Sequence, residues 1–173
     1  MVKLFRCKLC GEPYIGETRP SRCPLCGAYE GFMIEAKDYK ETFDVQLNEK
    51  DKSTVEKALE IEISNTIFYF CASERTDDID GKQLFKALGR VEAEHASIWR
   101  KILKVSESEM PKTNKCFTGN KENLQESHER EAKAIEFYRQ SSMQSSNIRV
   151  KQIFAALVQV ETDHLKLSEE RLK

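Results

Sequence analysis

Proline and glycine are scarce in most of this chain. Its 173 residues include four Pro and seven Gly, and three of each fall within the first 27. That leaves few residues for turn-rich architecture beyond the N-terminal part and suits long, solvent-facing helices. Neither charge sign dominates: 28 Lys and Arg face 29 Asp and Glu, for a net charge of −1. A nucleic-acid partner or an anionic membrane surface is therefore not expected. No stretch approaches the roughly 20 apolar residues of a membrane span, and no apolar segment follows Met-Val-Lys-Leu-Phe-Arg-Cys at the start. The expectation is a soluble, cytoplasmic protein with no nucleic-acid or membrane partner. The length allows one ordinary domain, or a small module followed by a medium one.

The second arrangement fits the pattern better. Residues 1–36 hold Cys7-Lys-Leu-Cys10 and Cys23-Pro-Leu-Cys26, each followed by Gly, with twelve residues between the pairs. Two such knuckles specify a tetrahedral four-sulfur metal site, which holds zinc or iron. A module this small has little core of its own, so the metal would supply much of its stability. The segment 37–51 lacks periodicity and reads as a linker. Residues 52–173 carry helical periodicity almost throughout. Helices are expected at about 50–76, 80–105, 120–143 and 147–171. In the first, Ala58, Ile61, Ile63, Ile67 and Phe70 are among the apolar positions. In the second, Leu84, Phe85, Leu88, Val91, Ile98 and Ile102 are expected to face inward.

The first and last connections are short, which makes each flanking pair antiparallel. The middle connection, 106–119, is long. Fourteen extended residues span roughly 46–50 Å, and a 25-residue helix is about 38 Å long. The connection can therefore run the length of the bundle, as in ferritin-like folds.

An internal repeat carries the functional reading. Shifted by 69 residues, 62–104 aligns with 131–173 without a gap, and fifteen of 43 positions are identical; unrelated pairs would give roughly three. Packing explains the paired Phe, Leu and Val residues. It does not explain why Glu62/Glu131, Glu92/Glu161 and His95/His164 also match. Glu92-Ala-Glu-His95 and Glu161-Thr-Asp-His164 each place a carboxylate and an imidazole on one helix face. With Glu62 and Glu131 from the other two helices, they form the ligand set of a carboxylate di-metal bundle. Four carboxylates nearly balance two divalent irons, and carboxylates can bridge and shift between binding modes while imidazole suits iron.

Tyr69 and Tyr138 lie seven residues after Glu62 and Glu131, on the same faces. They are expected to donate to ligand carboxylates, although a plain core role also fits. Trp99 is expected to be core. His128 shares a face with Glu131, but its repeat partner is Leu59, so a partly exposed histidine is preferred to a ligand. Cys71 is expected to be a small core residue, and Cys116 a free thiol. A redox di-iron site needs a one-electron donor, which favours iron over zinc in the cysteine site. The expected load is one iron in the cysteine site and two in the bundle.

These residues together resemble the rubrerythrins. Cys-x-x-Cys-Gly followed by Tyr14, then Cys-Pro-x-Cys-Gly, resembles a short rubredoxin. It stands first, as in the reverse rubrerythrins. The resemblance covers nearly the whole chain. It implies a non-haem peroxidase that reduces hydrogen peroxide to water at the di-iron centre. Electrons would come through the rubredoxin-like iron from an external donor, a rubredoxin or an NAD(P)H-dependent reductase. The resemblance also implies a homodimer in which the rubredoxin-like site of one chain serves the di-iron site of another. Ala134 stands where rubrerythrins often carry an additional glutamate, which makes this site more symmetric. An oxygen-reducing oxidase or ferroxidase, or an iron-storage protein without turnover, is the alternative. The built-in cysteine site argues against storage alone.

Overall fold

The structure is a computed structural model, and it describes residues 1–106 and 115–173. Three short strands open the chain: β1 (Lys3–Cys7), β2 (Pro13–Gly16) and β3 (Met33–Glu35). They form an antiparallel sheet in the order β2-β1-β3, with Phe5 opposite both Tyr14 and Glu35. The knuckles close in the same way. Gly11 N–H donates to Cys7 O at 2.8 Å and Gly27 N–H to Cys23 O at 3.0 Å. Both glycines have positive φ, +87° and +71°, a region that side chains disfavour.

Four helices follow: α1 (Glu49–Arg75), α2 (Ile79–Leu103), α3 (Asn120–Gln144) and α4 (Ile148–Leu172). Helix α1 starts within the segment read as a linker because Asn48 caps it, accepting from Asp51 N–H at 2.7 Å. The segment before it is not loose, since Phe43 is buried in the main core. Asn147 caps α4 through Arg149 and Val150 N–H. The α1–α2 and α3–α4 pairs are antiparallel hairpins.

The hairpin ends fix the topology. Asp77 N–H donates to Thr118 O, and Asn120 N–H to Asp77 Oδ1. The start of α3 therefore lies beside the start of α2. At the opposite end, Asp51 accepts from Ser146 and Asn147 in the α3–α4 turn. Helices α2 and α3 thus run parallel, with the end of α2 and the start of α3 at opposite ends of the bundle. This is the ferritin-like arrangement. Residues 107–114 of the long connection lie outside the described residues.

The core follows the repeat. Phe68, Phe85, Leu88, Phe154, Leu157 and Val160 are buried, whereas Leu84 and Val91, expected inward, are only half-buried. Phe70 is exposed and lies over Gly89, where an added Cβ would sit 3.0 Å from its ring. Trp99 is fully buried against Phe154, with centroids 4.5 Å apart; truncation to Ala would cost about 3–5 kcal/mol.

One expectation needs correction. Cys116 is not a free thiol: it is bonded to Cys71. Folding brings the end of α1 to the end of the crossover, a proximity invisible at a separation of 45 residues. The cysteine module is seated on its own bundle, a contact the sequence pattern did not specify. Arg149 donates to Lys8 O and Leu9 O, and Lys101 to Cys10 O. Arg22 pairs with Asp163 at 2.7 Å. Gly27 lies so close to α4 that a Cβ there would meet Val160 Cγ1 at 2.8 Å. Leu9 is fully buried in the core shared by the two parts.

Candidate metal centres

The four cysteine sulfurs converge from the two knuckles. Cys7 Sγ lies 3.7 Å from Cys26 Sγ, and Cys10 Sγ 3.9 Å from Cys23 Sγ. A tetrahedron with metal–sulfur bonds near 2.3 Å has edges of about 3.8 Å. Leu9 N–H approaches Cys7 Sγ at 3.4 Å, a contact that favours thiolate. Sulfur–sulfur contacts, led by those with Cys10, push Cys7 and Cys23 below the usual thiol range. The same contacts, led by Cys23 and Cys10 respectively, push Cys10 and Cys26 above it.

At mid-bundle, Glu62, Glu92, His95, Glu131 and Glu161 have no solvent exposure, and His164 has 6 %. Each helix contributes to the cluster. Two overlapping groups form: Glu62, Glu92, His95 and Glu161, and Glu92, Glu131, Glu161 and His164. Glu92 and Glu161 belong to both groups. Each histidine also faces the carboxylate of the opposite Glu-x-x-His helix. His95 Nδ1 is 3.1 Å from Glu161, and His164 Nδ1 is 3.0 Å from Glu92.

The donor atoms fit metals better than one another. Both oxygens of Glu92 and Glu161, Oε2 of Glu62 and Glu131, and Nδ1 of each histidine are buried without a hydrogen-bond partner. Buried polar atoms rarely remain so, and eight at one point mark a place for cations. The remaining contacts hold the set in position. Tyr138 donates to Glu62 Oε1 and Tyr69 to Glu131 Oε1, each across the bundle. Ser127 Oγ is also 2.9 Å from the Tyr69 hydroxyl.

The electrostatics give a pH dependence. Burial, then Glu92, holds the Glu62 carboxyl well above its usual range; burial, then Glu92 and Glu161, does the same for Glu131. Burial alone would lower both histidines, but the carboxylates outweigh it and raise them, led by Glu161. Burial opposes ionisation of Glu92 and Glu161 too, yet the histidines pull both below the usual range. These directions favour protons on both imidazoles and on Glu62 and Glu131, so binding divalent ions there would release protons. Affinity is thus expected to rise with pH and to collapse in acid. Proton release measured during anaerobic ferrous titration checks this; release near zero at neutral pH would contradict it.

His128 is half-buried with an unpartnered Nδ1 and belongs to neither converging group among the described residues. Ala134 is buried and adds no carboxylate. Sequence reasoning missed the residues that seat the module on the bundle. The most direct contact runs from His95, whose Nε2 is 3.0 Å from the Cys26 carbonyl. Donation there directs Nδ1 to the cluster. Asp163, the repeat partner of Glu94, takes Arg22 and approaches the Tyr29 hydroxyl at 3.3 Å. Its place in the repeat was a usable signal; its partners were not.

Comparison with known proteins agrees with this architecture. The rubrerythrin family model matches residues 53–172. A protein described as Reverse rubrerythrin-1, from Clostridium acetobutylicum, is 29 % identical over 117 residues, covering 59 % of this chain and 62 % of that protein. The chain thus spans under two thirds of that relative's length. Among the described residues, no helix is long and apolar enough to cross a membrane. The four-cysteine site fits one iron, and the bundle site fits a di-iron centre. With its four-cysteine module preceding a matched bundle of two Glu-x-x-His hairpins, the chain belongs to the rubrerythrin family, in its reverse arrangement.

Proposed function

We propose that this protein is a non-haem di-iron peroxidase, reducing hydrogen peroxide to water with electrons delivered through its own cysteine site. One observation carries this reading: Cys26 and His95 join the two metal sites through a single hydrogen bond of 3.0 Å. A storage protein has no use for such a connection. In this reading Cys7, Cys10, Cys23 and Cys26 hold one iron. Glu62 and His95 would hold one bundle iron and Glu131 and His164 the other, with Glu92 and Glu161, which belong to both groups, available to each.

Reduction of one peroxide consumes two electrons and two protons and yields two waters. The bundle site, when loaded, would supply the electron pair, and the site of Cys7, Cys10, Cys23 and Cys26 would be the route by which it is restored. The protein's own groups do the rest. Tyr69 and Tyr138 fix one oxygen of Glu131 and Glu62, leaving the other free to bind. Helix packing excludes water from the His95 side, while His164 keeps slight exposure. The Cys26 carbonyl fixes the His95 tautomer and orientation. Arg149 and Lys101, donating to carbonyls of the first knuckle, place positive charge beside the thiolates.

An external donor, a rubredoxin or an NAD(P)H-dependent reductase, would reload the cysteine site, and the cytoplasm is where such donors are found. The chain need not be paired for electrons to reach the bundle; a homodimer would serve stability or donor docking.

Stopped-flow mixing tests the reading. Peroxide is expected to oxidise the reduced bundle much faster than oxygen does. Cys10→Ser should lose turnover with an external donor yet still undergo one oxidation of pre-reduced bundle iron. Equal rates with both oxidants would favour an oxidase, and normal turnover in Cys10→Ser would exclude the cysteine site as the point of entry.

A further inference from the structure

We propose that Cys71 and Cys116 are a peroxide-oxidisable thiol pair, a reversible covalent latch between the end of α1 and the segment leading into α3. Among the described residues the pair belongs to neither metal cluster, and it has no counterpart in the repeat, where Cys71 aligns with the exposed Gln140. Its bonded form is the one in the structure, with Cα atoms 5.9 Å apart, within the range that disulfides span without backbone movement.

The surroundings bring the two sulfurs together without the bond. Asn123 clamps Phe117, next to Cys116, from both sides: its Oδ1 accepts from Phe117 N–H and its Nδ2 donates to Phe117 O, both at 2.9 Å. Asp77 N–H holds Thr118 O at 2.9 Å, and Asp77 Oδ1 takes Asn120 N–H at 3.0 Å. Cys71 is fixed by the last full turns of α1, within an apolar cluster of Phe68, Tyr69, Phe85 and Leu124. With the bond reduced, these contacts still hold the thiols side by side. Closure is then intramolecular, and its effective concentration is high. Each cysteine retains slight exposure, 6 % and 8 %, so a molecule as small as peroxide needs only local opening at the bundle end to reach it.

The chemistry closes without another reactant. One thiolate attacks peroxide: an S–O bond forms, the O–O bond breaks, and hydroxide leaves with the thiol's proton as water. The second sulfur then displaces the sulfenic oxygen, which departs as a second water while the S–S bond forms. Two thiols lose two electrons and one peroxide gains them. A thiol reductant reverses the bond by exchange.

The consequence is mechanical. The bond closes a span of 45 residues that contains all of α2, with Glu92 and His95. It therefore restrains the hairpin that holds half of the bundle's converging side chains. It also pins Cys116 within the apolar cluster that includes Tyr69, which donates to Glu131. Under oxidant the bundle is fastened; under reductant the segment at Cys116 is held by hydrogen bonds and apolar packing without a covalent tie. The inference does not depend on the peroxidase reading, because the thiols would be oxidised whether or not the irons turn over.

The test uses the full-length, metal-loaded protein, reduced with a phosphine that is then removed. Hydrogen peroxide is added stepwise, remaining thiols are capped with maleimide, and peptides are mapped by mass. Cys71 and Cys116 should lose labelling together and appear as one linked peptide. Tm should rise by about 10 °C and fall again with phosphine. Cys116→Ser and Cys71→Ala should each lack the rise while keeping their iron. If both cysteines stay labelled at peroxide doses that have already oxidised the irons, the proposal fails. A linked peptide with unchanged Tm would equally overturn the latch. Thiol oxidation without peroxide turnover would leave this inference standing and remove the peroxidase reading; the reverse result would do the opposite.

Discussion

Glu92→Ala or Glu161→Ala is expected to reduce the iron content from three per chain to about one, the cysteine-bound ion, because each removes a carboxylate common to both bundle groups. Glu62→Ala should behave differently. It strips one group of a terminal carboxylate and leaves Glu92, Glu131, Glu161 and His164 intact, so about one bundle iron should remain. The damage from the shared residues also spreads through charge. Removing Glu161 takes away the carboxylate 3.1 Å from His95 and the one 2.8 Å from His164. Two buried imidazoles would then lose the carboxylate that faces both of them and keeps them in place. Elemental analysis together with the visible absorption of the cysteine-bound iron separates the outcomes. Three irons in Glu161→Ala, or equal losses in Glu62→Ala and Glu161→Ala, would refute the sharing.

Chains carrying Cys10→Ser, unfolded and refolded together with chains lacking Glu92 and Glu161, are expected to recover no turnover. The family resemblance suggests the opposite, that one chain's cysteine site serves another's bundle. The seating of the module decides the expectation. Cys26 O accepts from His95 at 3.0 Å, Arg22 meets Asp163 at 2.7 Å, and Lys101 reaches Cys10 O at 2.7 Å within one chain. Gly27 touches Val160 with no room for a side chain. The ion pairs are half-exposed and contribute little individually, about 0–1 kcal/mol each. Leu9 and Phe43, buried in a core common to module and bundle, anchor the contact more firmly. A mixed sample has both halves of the machinery but on different chains, so each intact bundle would face the disabled cysteine site of its own chain. Recovery of a sizeable fraction of wild-type turnover, in samples shown to contain mixed dimers, would mean that electrons cross between chains.

Spacing alone determined the four helices, the two hairpins and the groups that converge in the bundle. Glu92 and His95 share a face because a helix turns every 3.6 residues, and the 69-residue repeat carried that logic to Glu161, His164 and Glu131. The two knuckles were legible for the same reason: a Cys-x-x-Cys loop closed by Gly is local geometry. Tertiary structure decided what depends on two distant segments meeting. Which carboxylates are shared follows from how the hairpins face each other. Tyr69 serves Glu131 and not the nearer-in-sequence Glu62, because its side chain projects across the bundle. The Cys71–Cys116 bond joins residues with no common periodicity, and the module's seat rests on Gly27 meeting Val160 and on the Cys26 carbonyl meeting His95. Periodicity specifies which face of a helix turns inward, but it contains no term for what another element brings to that face. That depends on how the whole chain packs, where excluded volume and the need to partner buried polar groups act across the molecule.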